Sequence, residues 1–276
     1  MTKREYAQEI AELINGEMRE VEKANGVKMI GVTKKDGSNI RPNVYIDKMY
    51  EDKLSIREAA EMVEKIYEET PKIDMNIETV KDWNQIKGRL KARLYNKKTN
   101  ADIYRSAKEY GFDDFIIVPY IDVSDIVPNG YIQVTNILLE NWEHKADTVI
   151  DIALDNVKND AEIIPMTEVL TEIMKANGFP QEEIDQMLYT TDNRMNVITN
   201  KKKSRGAIGL ITLRKKLKEK FPDGYVVLPS SIHEVIVIPY EEDLSETYLT
   251  DLVESANNKC VEDIEVLGDR AYIVKY

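Results

Sequence analysis

The sequence predicts an α+β fold of antiparallel β-hairpins backed by helices. Short runs rich in Val, Ile and Tyr, each bounded by turn residues, read as strands. Thr2 with Glu5 and Ser55 with Glu58 have the form of capping boxes, in which a hydroxyl and a carboxylate close the first turn of a helix. The order strand, strand, helix then comes round three times along the 276 residues, with extra helices between the copies. An apolar share of 42% is enough to bury a core, and with 12 Gly and 9 Pro no stretch reads as a flexible linker.

Near the N-terminus, Tyr6, Ile10, Leu13, Ile14 and Val21 recur at helical spacing, which predicts one helix from the Thr2 cap to a stop at Gly26. An extended stretch over 27–33, a reversal at Asp36-Gly37-Ser38 and a return strand over 44–46 follow. Ser55 then opens a helix that buries Ile56, Ala59, Ala60, Val63 and Tyr67. The second copy has strands at 115–118 and 131–134 and a helix over 144–157 with Val149, Ile152, Ala153 and Val157 inward. Before the third copy, a helix over 206–220 is broken by Pro222-Asp223-Gly224. Strands at 225–228 and 235–238 come next, then a helix with Tyr248, Leu249, Leu252, Val253 and Ala256 on one face. Extra helices are expected at 78–96, 165–177 and 181–189, and a closing hairpin pairs 264–267 with 272–274. The chain accordingly divides into an N-terminal α+β region at 1–160 holding two hairpin–helix units, an acidic helical connector at 161–193 and a C-terminal α+β unit at 194–276.

Charge is unevenly placed. The net −12 resolves into +2 over residues 1–100, −13 over 101–190 and −1 over 191–276. Two basic runs oppose it, 81–98 with seven cations against Asp82 and 201–220 with nine against Glu219. Their expected role is pairing with the acidic middle third. An overall acidic chain repels phosphate backbones, which argues against a nucleic-acid partner. The lone Cys260 cannot form an intrachain disulfide, the first residues carry Glu5 and Glu9 instead of an apolar leader, and no run approaches the roughly 20 apolar residues of a membrane span, so a cytoplasmic protein is expected.

The segment richest in chemistry is Leu228-Pro229-Ser230-Ser231-Ile232-His233-Glu234-Val235. Ser231, His233 and Glu234 are the candidate catalytic residues, since hydroxyl, imidazole and carboxylate are the parts of nucleophile–base chemistry. Strand alternation places Ser231 and His233 on one face and Glu234 on the other, and no Gly-x-Ser-x-Gly elbow is present. The competing reading is a Pro-Ser-Ser turn whose hydroxyls cap backbone groups. Asn200, Arg205 and Ser230 are the candidate ligand-binding residues, with Lys201-Lys202-Lys203-Ser204-Arg205-Gly206 leading into a helix as an anion-attracting turn. Neither a phosphate-binding loop nor a dinucleotide fingerprint occurs, so no cofactor is expected. His144, His233 and Cys260 lack metal-ligand spacing, and Asp147, Asp151 and Asp155 at intervals of four read as a solvated helix face, so no metal is expected either.

Four segments carry a resemblance. They are Gly37-Ser38-Asn39-Ile40-Arg41-Pro42-Asn43-Val44-Tyr45; Tyr131-Ile132-Gln133-Val134-Thr135-Asn136 with Trp142; Val197-Ile198-Thr199-Asn200 with Arg205-Gly206-Ala207; and Leu228 through Val235. Together the chain resembles an uncharacterised family of gut Firmicute (clostridial) proteins, a domain of unknown function. Arg41 departs from the smaller residue expected there. The resemblance implies a bacterial cytosolic protein of one continuous architecture and no stated activity. The function expected first is non-catalytic binding or regulation, with a basic protein or peptide docking on the acidic middle third. The alternative is a hydrolase or transferase acting on a small polar substrate through the Ser-Ser-Ile-His-Glu segment.

Overall fold

The computed structural model describes the chain apart from residues 36, 38–40, 71–75, 101–107, 110–113, 129 and 190–193 and the side chains of 108 and 109. Three antiparallel sheets follow one another along it. In the first, helix α1 (Lys3–Leu13) starts at the Thr2–Glu5 capping box. Strands β1 (Gly16–Glu22), β2 (Lys28–Lys34) and β3 (Val44–Tyr45) then pair in that order. A short helix α2 (Asp47–Glu51) precedes α3 (Ile56–Glu69), which starts at the Ser55–Glu58 box. Tyr6, Ile10, Ile14, Val32, Ile46, Ala59 and Val63 close a core between α1, α3 and the sheet.

The expected helix through Val21 is corrected here, because it ends at Leu13 and the next turn leads into β1. The cause is the Asn15-Gly16 dipeptide. Asn15 takes the left-handed region at φ 51, which asparagine tolerates. A Cβ on Gly16 would lie 2.5 Å from the Thr33 carbonyl oxygen. The predicted reversal at 36–38 falls largely outside the described residues. The actual β1–β2 hairpin turns at Asn25, φ 60. Its tip inserts elsewhere. Ala24 joins the large core of the rest of the chain. The Asn25 side chain donates to the carbonyls of Asp263 (2.7 Å) and Val266 (2.8 Å), and its backbone N–H donates to Asn100 Oδ1 (2.8 Å).

The second sheet is built on β6. Helices α4 (Ile77–Lys81) and α5 (Trp83–Ile86) lead to β4 (Leu90–Asn96), α6 (Lys97–Asn100), β5 (Lys108–Glu109) and β6 (Phe115–Asp122). Then come β7 (Tyr131–Gln133), α7 (Asn136–Trp142) and α8 (Ala146–Val157). Strands β4, β5 and β7 all pair with β6. The helix expected over 78–96 is therefore corrected to two short helices and a strand. Leu90, Ala92 and Leu94 alternate with Lys91, Arg93 and Tyr95, which is a period of two.

The third sheet has the order β12-β10-β11-β9-β8. Its elements are β8 (Ala161–Pro165), α9 (Met166–Ala176), α10 (Gln181–Leu188), β9 (Asn196–Asn200), α11 (Gly209–Thr212) and α12 (Arg214–Lys220). They continue with β10 (Gly224–Leu228), β11 (Val235–Pro239), α13 (Glu246–Cys260) and β12 (Tyr272–Lys275). The segment 161–193, expected to be helical, thus also supplies an edge strand. The closing hairpin is corrected as well: β12 pairs with β10, while 263–265 form a 3-10 turn and Val266 bridges Ser231. The three predicted strand pairs, β2–β3, β6–β7 and β10–β11, are each antiparallel neighbours followed by a helix. Leu94, Ile117, Val149, Ile150, Ile198 and Val237 belong to one buried cluster that runs through the second and third sheets. No helix among the described residues is long and apolar enough to cross a membrane.

Candidate anion-binding cleft

The alternation that makes β4 a strand also makes one face of the second sheet polar. Lys91 pairs with Tyr120 across β4–β6, and Asp122 with Tyr131 across β6–β7, so these side chains share a face with Arg93 and Tyr95. Arg93 is 1% exposed. Its guanidinium carbon lies 4.2 Å from the ring centre of Tyr131, 5.1 Å from that of Tyr120 and 4.9 Å from that of Tyr95. Arginine stays charged even when buried, and the aromatic faces supply part of the compensation. Burial pushes the Tyr131 phenol up, but the charge and hydrogen bond of Arg93, with Lys23 and Arg205 behind it, hold it below its ordinary value.

Opposite this face stands the loop 201–205, which leaves β9 and enters a 3-10 turn at Gly206–Ile208. Three features fix it. The Asn200 side chain donates to the Ser204 carbonyl (2.6 Å) and accepts from the N–H groups of Lys202 and Ser204 (3.1 Å each). Gly206 presses against the strand, where a Cβ would meet Asn200 N at 2.5 Å and the Thr199 carbonyl carbon at 2.6 Å. Arg205 sits at φ 57, a conformation that costs a non-glycine residue about 1 kcal/mol or more.

His233 holds that strained residue. Its Nδ1 accepts the Arg205 N–H (3.1 Å), so the ring proton is on Nε2, which donates to Glu265 Oε1 (2.8 Å). The His233 carbonyl takes the Gly206 N–H (2.8 Å) and the Thr199 hydroxyl (3.3 Å). The structure therefore brings 200–206 and 230–234 together. Both ring nitrogens of His233 are engaged, Nδ1 by Arg205 and Nε2 by Glu265, and its backbone N–H donates to Ser231 Oγ (3.0 Å). Glu234 is exposed, and the Ser230 carbonyl accepts from Leu267 N–H at 3.2 Å. The Ser231 hydroxyl and His233 Nδ1 thus accept from backbone N–H groups, whereas the Ser230 contact is made by its own backbone carbonyl.

Between face and loop lies a cleft of about 250 Å³, lined among others by Lys91, Tyr120, Asp122, Asp160, Asn200 and Arg205. Lys91, Lys201, Lys202 and Arg205 line it against Asp122 and Asp160, a local balance of +2 in a chain of net −12. Lys91 is paired with Asp160 (2.8 Å), and Lys202 reaches Asp122 (3.5 Å) and the Ser124 hydroxyl (3.3 Å). Burial would raise the Asp122 carboxyl, but hydrogen bonds from Ser124 and the charges of Lys202 and Lys91 hold it below the usual carboxylate range. Arg205 differs. Its guanidinium carbon rests 4.8 Å from the Tyr131 ring centre and 5.7 Å from that of Tyr120, and among the described residues no carboxylate pairs with it. Tyr131 is thus flanked by two guanidinium groups.

The two basic runs meet the acidic middle third, as expected. Arg89 forks onto Asp125 (2.7 and 2.8 Å), Lys91 meets Asp160, Lys202 meets Asp122, and Lys203 pairs with Glu172. No group of three or more His, Cys, Asp or Glu side chains suited to a metal occurs among the described residues. Asp147, Asp151 and Asp155 are exposed on α8. His144 lies against Trp83, with ring centres 4.1 Å apart.

Comparison with known families matches the chain to a family of unknown function over residues 2–275. The chain belongs to DUF5688. No curated protein and no solved structure matches it. Two of the segments that carry the resemblance noted above, 197–207 and 228–235, are the two that His233 joins at the cleft of this DUF5688 chain. Sequence reasoning found Asn200 and Arg205 in the basic turn. It missed Lys91, whose signal was the alternation of β4; Tyr120, Asp122 and Tyr131, which join it only through sheet pairing; and Glu265, which lies 32 residues from its histidine.

Proposed function

We propose that this protein is a non-catalytic binding protein that takes a small anionic ligand between its second and third sheets. The observation that carries the reading is Arg205. It is a half-buried guanidinium, stacked on Tyr131, held by a strained backbone and left without a carboxylate, while its cationic neighbours Lys91 and Lys202 each have one. A planar fork fixed in this way binds carboxylate or phosphate in two parallel hydrogen bonds and loses little freedom in doing so. A volume of about 250 Å³ sets the ligand at metabolite size. The alternative, a hydrolase or transferase working through Ser231, His233 and Glu234, needs a ring nitrogen of His233 free to take a proton, and both are engaged. The proposed setting is the cytosol of a bacterium of the gut clostridial kind, which the resemblance implies and which suits the exposed, lone thiol of Cys260.

Thermal unfolding in the presence of inorganic phosphate, a phosphate monoester and a set of dicarboxylates tests the reading. A ligand at a hundred times its Kd stabilises the folded state by about 2.7 kcal/mol, a shift of several degrees. At least one member of the set raises Tm in the native chain and leaves the Arg205→Gln variant unmoved. If none of them does, or if Arg205→Gln responds equally, the proposal fails.

A further inference from the structure

The cleft is one side of β8. The other side is a second feature, formed by an open sheet edge, an underpacked helix and a concentration of acid. We infer that the outer edge of β8, with α9 and α10, is a docking groove for an extended basic peptide segment of another protein.

The edge comes first. β8 ends the third sheet. The bonds Lys201 N–H to Asp160 O (3.2 Å) and Met166 N–H to Met195 O (2.9 Å) bracket its ladder with β9. Hydrogen-bonded pairs alternate along an antiparallel ladder, so Glu162 with Thr199 and Ile164 with Val197 exchange bonds, and the N–H and C=O of Ile163 turn outward. Pro165 ends the strand and offers no N–H. An added strand would find one pair of backbone groups at the centre of a short edge, which is the start of β-augmentation.

Beside that edge lies a groove of about 430 Å³ with Ile163, Ile164 and Leu213 among its lining and Glu162, Glu168 and Lys216 at its margins. Helix α9 continues the apolar surface. It spans 11 residues, includes Val169, Leu170, Ile173 and Met174, and has none of its side chains fully buried. Ile173 is 52% exposed, and Phe179, Met187 and Tyr189 on and around α10 are 40%, 50% and 90% exposed. An amphipathic helix normally derives its stability from burying its apolar face, and here Val169, Leu170 and Met174 are only half-buried and Ile173 is exposed.

Charge selects the occupant. Residues 161–189 carry Glu162, Glu168, Glu172, Glu182, Glu183 and Asp185 against Lys175; Lys203 pairs with Glu172 and Lys216 also lines the groove, and the margin stays acidic. Two copies of this chain would bring these acids together, so a second copy is disfavoured. A strand alternating Lys or Arg with Val or Leu places its apolar side chains over the groove and its cations along the acidic margin.

The test is fluorescence anisotropy with the full chain and a labelled nine-residue peptide alternating Lys and Val. Binding is expected, and it should weaken in about 0.5 M salt. Reversing charge with Glu162→Lys and Glu168→Lys should weaken it about tenfold or more, whereas the same reversal at Glu9 and Glu12, exposed on α1, should leave it unchanged. Ile163→Pro removes the outward N–H without touching the β9 ladder and should also weaken binding, while Ile163→Ala, which matches the loss of packing, should retain it. Equal weakening at both charge-reversed sites, or equal binding by Ile163→Pro and Ile163→Ala, would overturn the inference. So would a dimer of the native chain in sedimentation that Ile163→Pro dissociates, because the occupant would then be a second copy.

Discussion

Loop 201–205 and helix α9 flank the same pair of strands, β8 and β9, and the Lys203–Glu172 ion pair ties one to the other. The loop has no regular structure, yet Asn200 and His233 take up the N–H groups of Lys202, Ser204, Arg205 and Gly206. The helix has regular structure, yet none of its side chains is fully buried. Satisfied polar groups and close backbone approach hold the loop, whereas α9 keeps an apolar surface that its own helical hydrogen bonds do not bury. The first arrangement suits a small ligand that must meet a guanidinium at a set place. The second suits a partner that brings its own apolar surface.

The comparison breaks most directly at Gly206. An added methyl would lie 2.5 Å from the Asn200 nitrogen and 2.6 Å from the Thr199 carbonyl carbon, and both belong to backbone that is also paired in β9. Neither can move without opening the sheet. Gly206→Ala is expected to cost about 3 kcal/mol in chemical denaturation and to abolish ligand stabilisation at the cleft. If the variant unfolds at the same denaturant concentration as the native chain, the loop is not held as tightly as its contacts imply.

Arg205 sharpens the same point with a smaller effect. The left-handed backbone at φ 57 is paid for by the contacts of the loop, and glycine adopts it freely. Arg205→Gly and Arg205→Ala remove the same guanidinium, so their difference reports the strain less the greater unfolded-chain entropy of glycine. The glycine variant is expected to be the more stable by about 1 kcal/mol, with ligand response lost in both. Equal stability would place the strain elsewhere.

The legible parts of the fold were those with local signals. The boxes at Thr2–Glu5 and Ser55–Glu58 are both formed as their spacing implies, and β10 and β11 appear where short apolar runs meet turn residues. Strand β1 was hidden because Val21 continues a helical spacing, and the decisive Asn15-Gly16 turn is a conformational signal that periodicity does not weigh. Strand β4 was hidden inside the helix expected over 78–96, because the alternation of Leu90, Ala92 and Leu94 with Lys91 and Arg93 was not weighed, and its cation Arg93 is one of the most buried side chains present. The cleft was half legible for a similar reason. Asn200 and Arg205 are neighbours in a marked basic turn, but Tyr120 and Tyr131 reach Arg205 only through sheet pairing and a shared core.

The smallest expected effect lies at the other pole of the comparison. Ile173 on α9 is 52% exposed, so replacing it removes little buried area, and isoleucine and serine have similar helix propensity. Ile173→Ser is expected to change stability by about half a kcal/mol, while Leu213→Ser, at a residue 2% exposed in the neighbouring groove, should cost several times more. Stability and binding then separate. If α9 is a surface kept open for a partner, Ile173→Ser weakens the Lys–Val peptide while leaving the denaturation midpoint almost unchanged. If instead the midpoint falls as far as it does for Leu213→Ser, α9 is already covered in solution, and its apolar side chains belong to the fold of this chain alone.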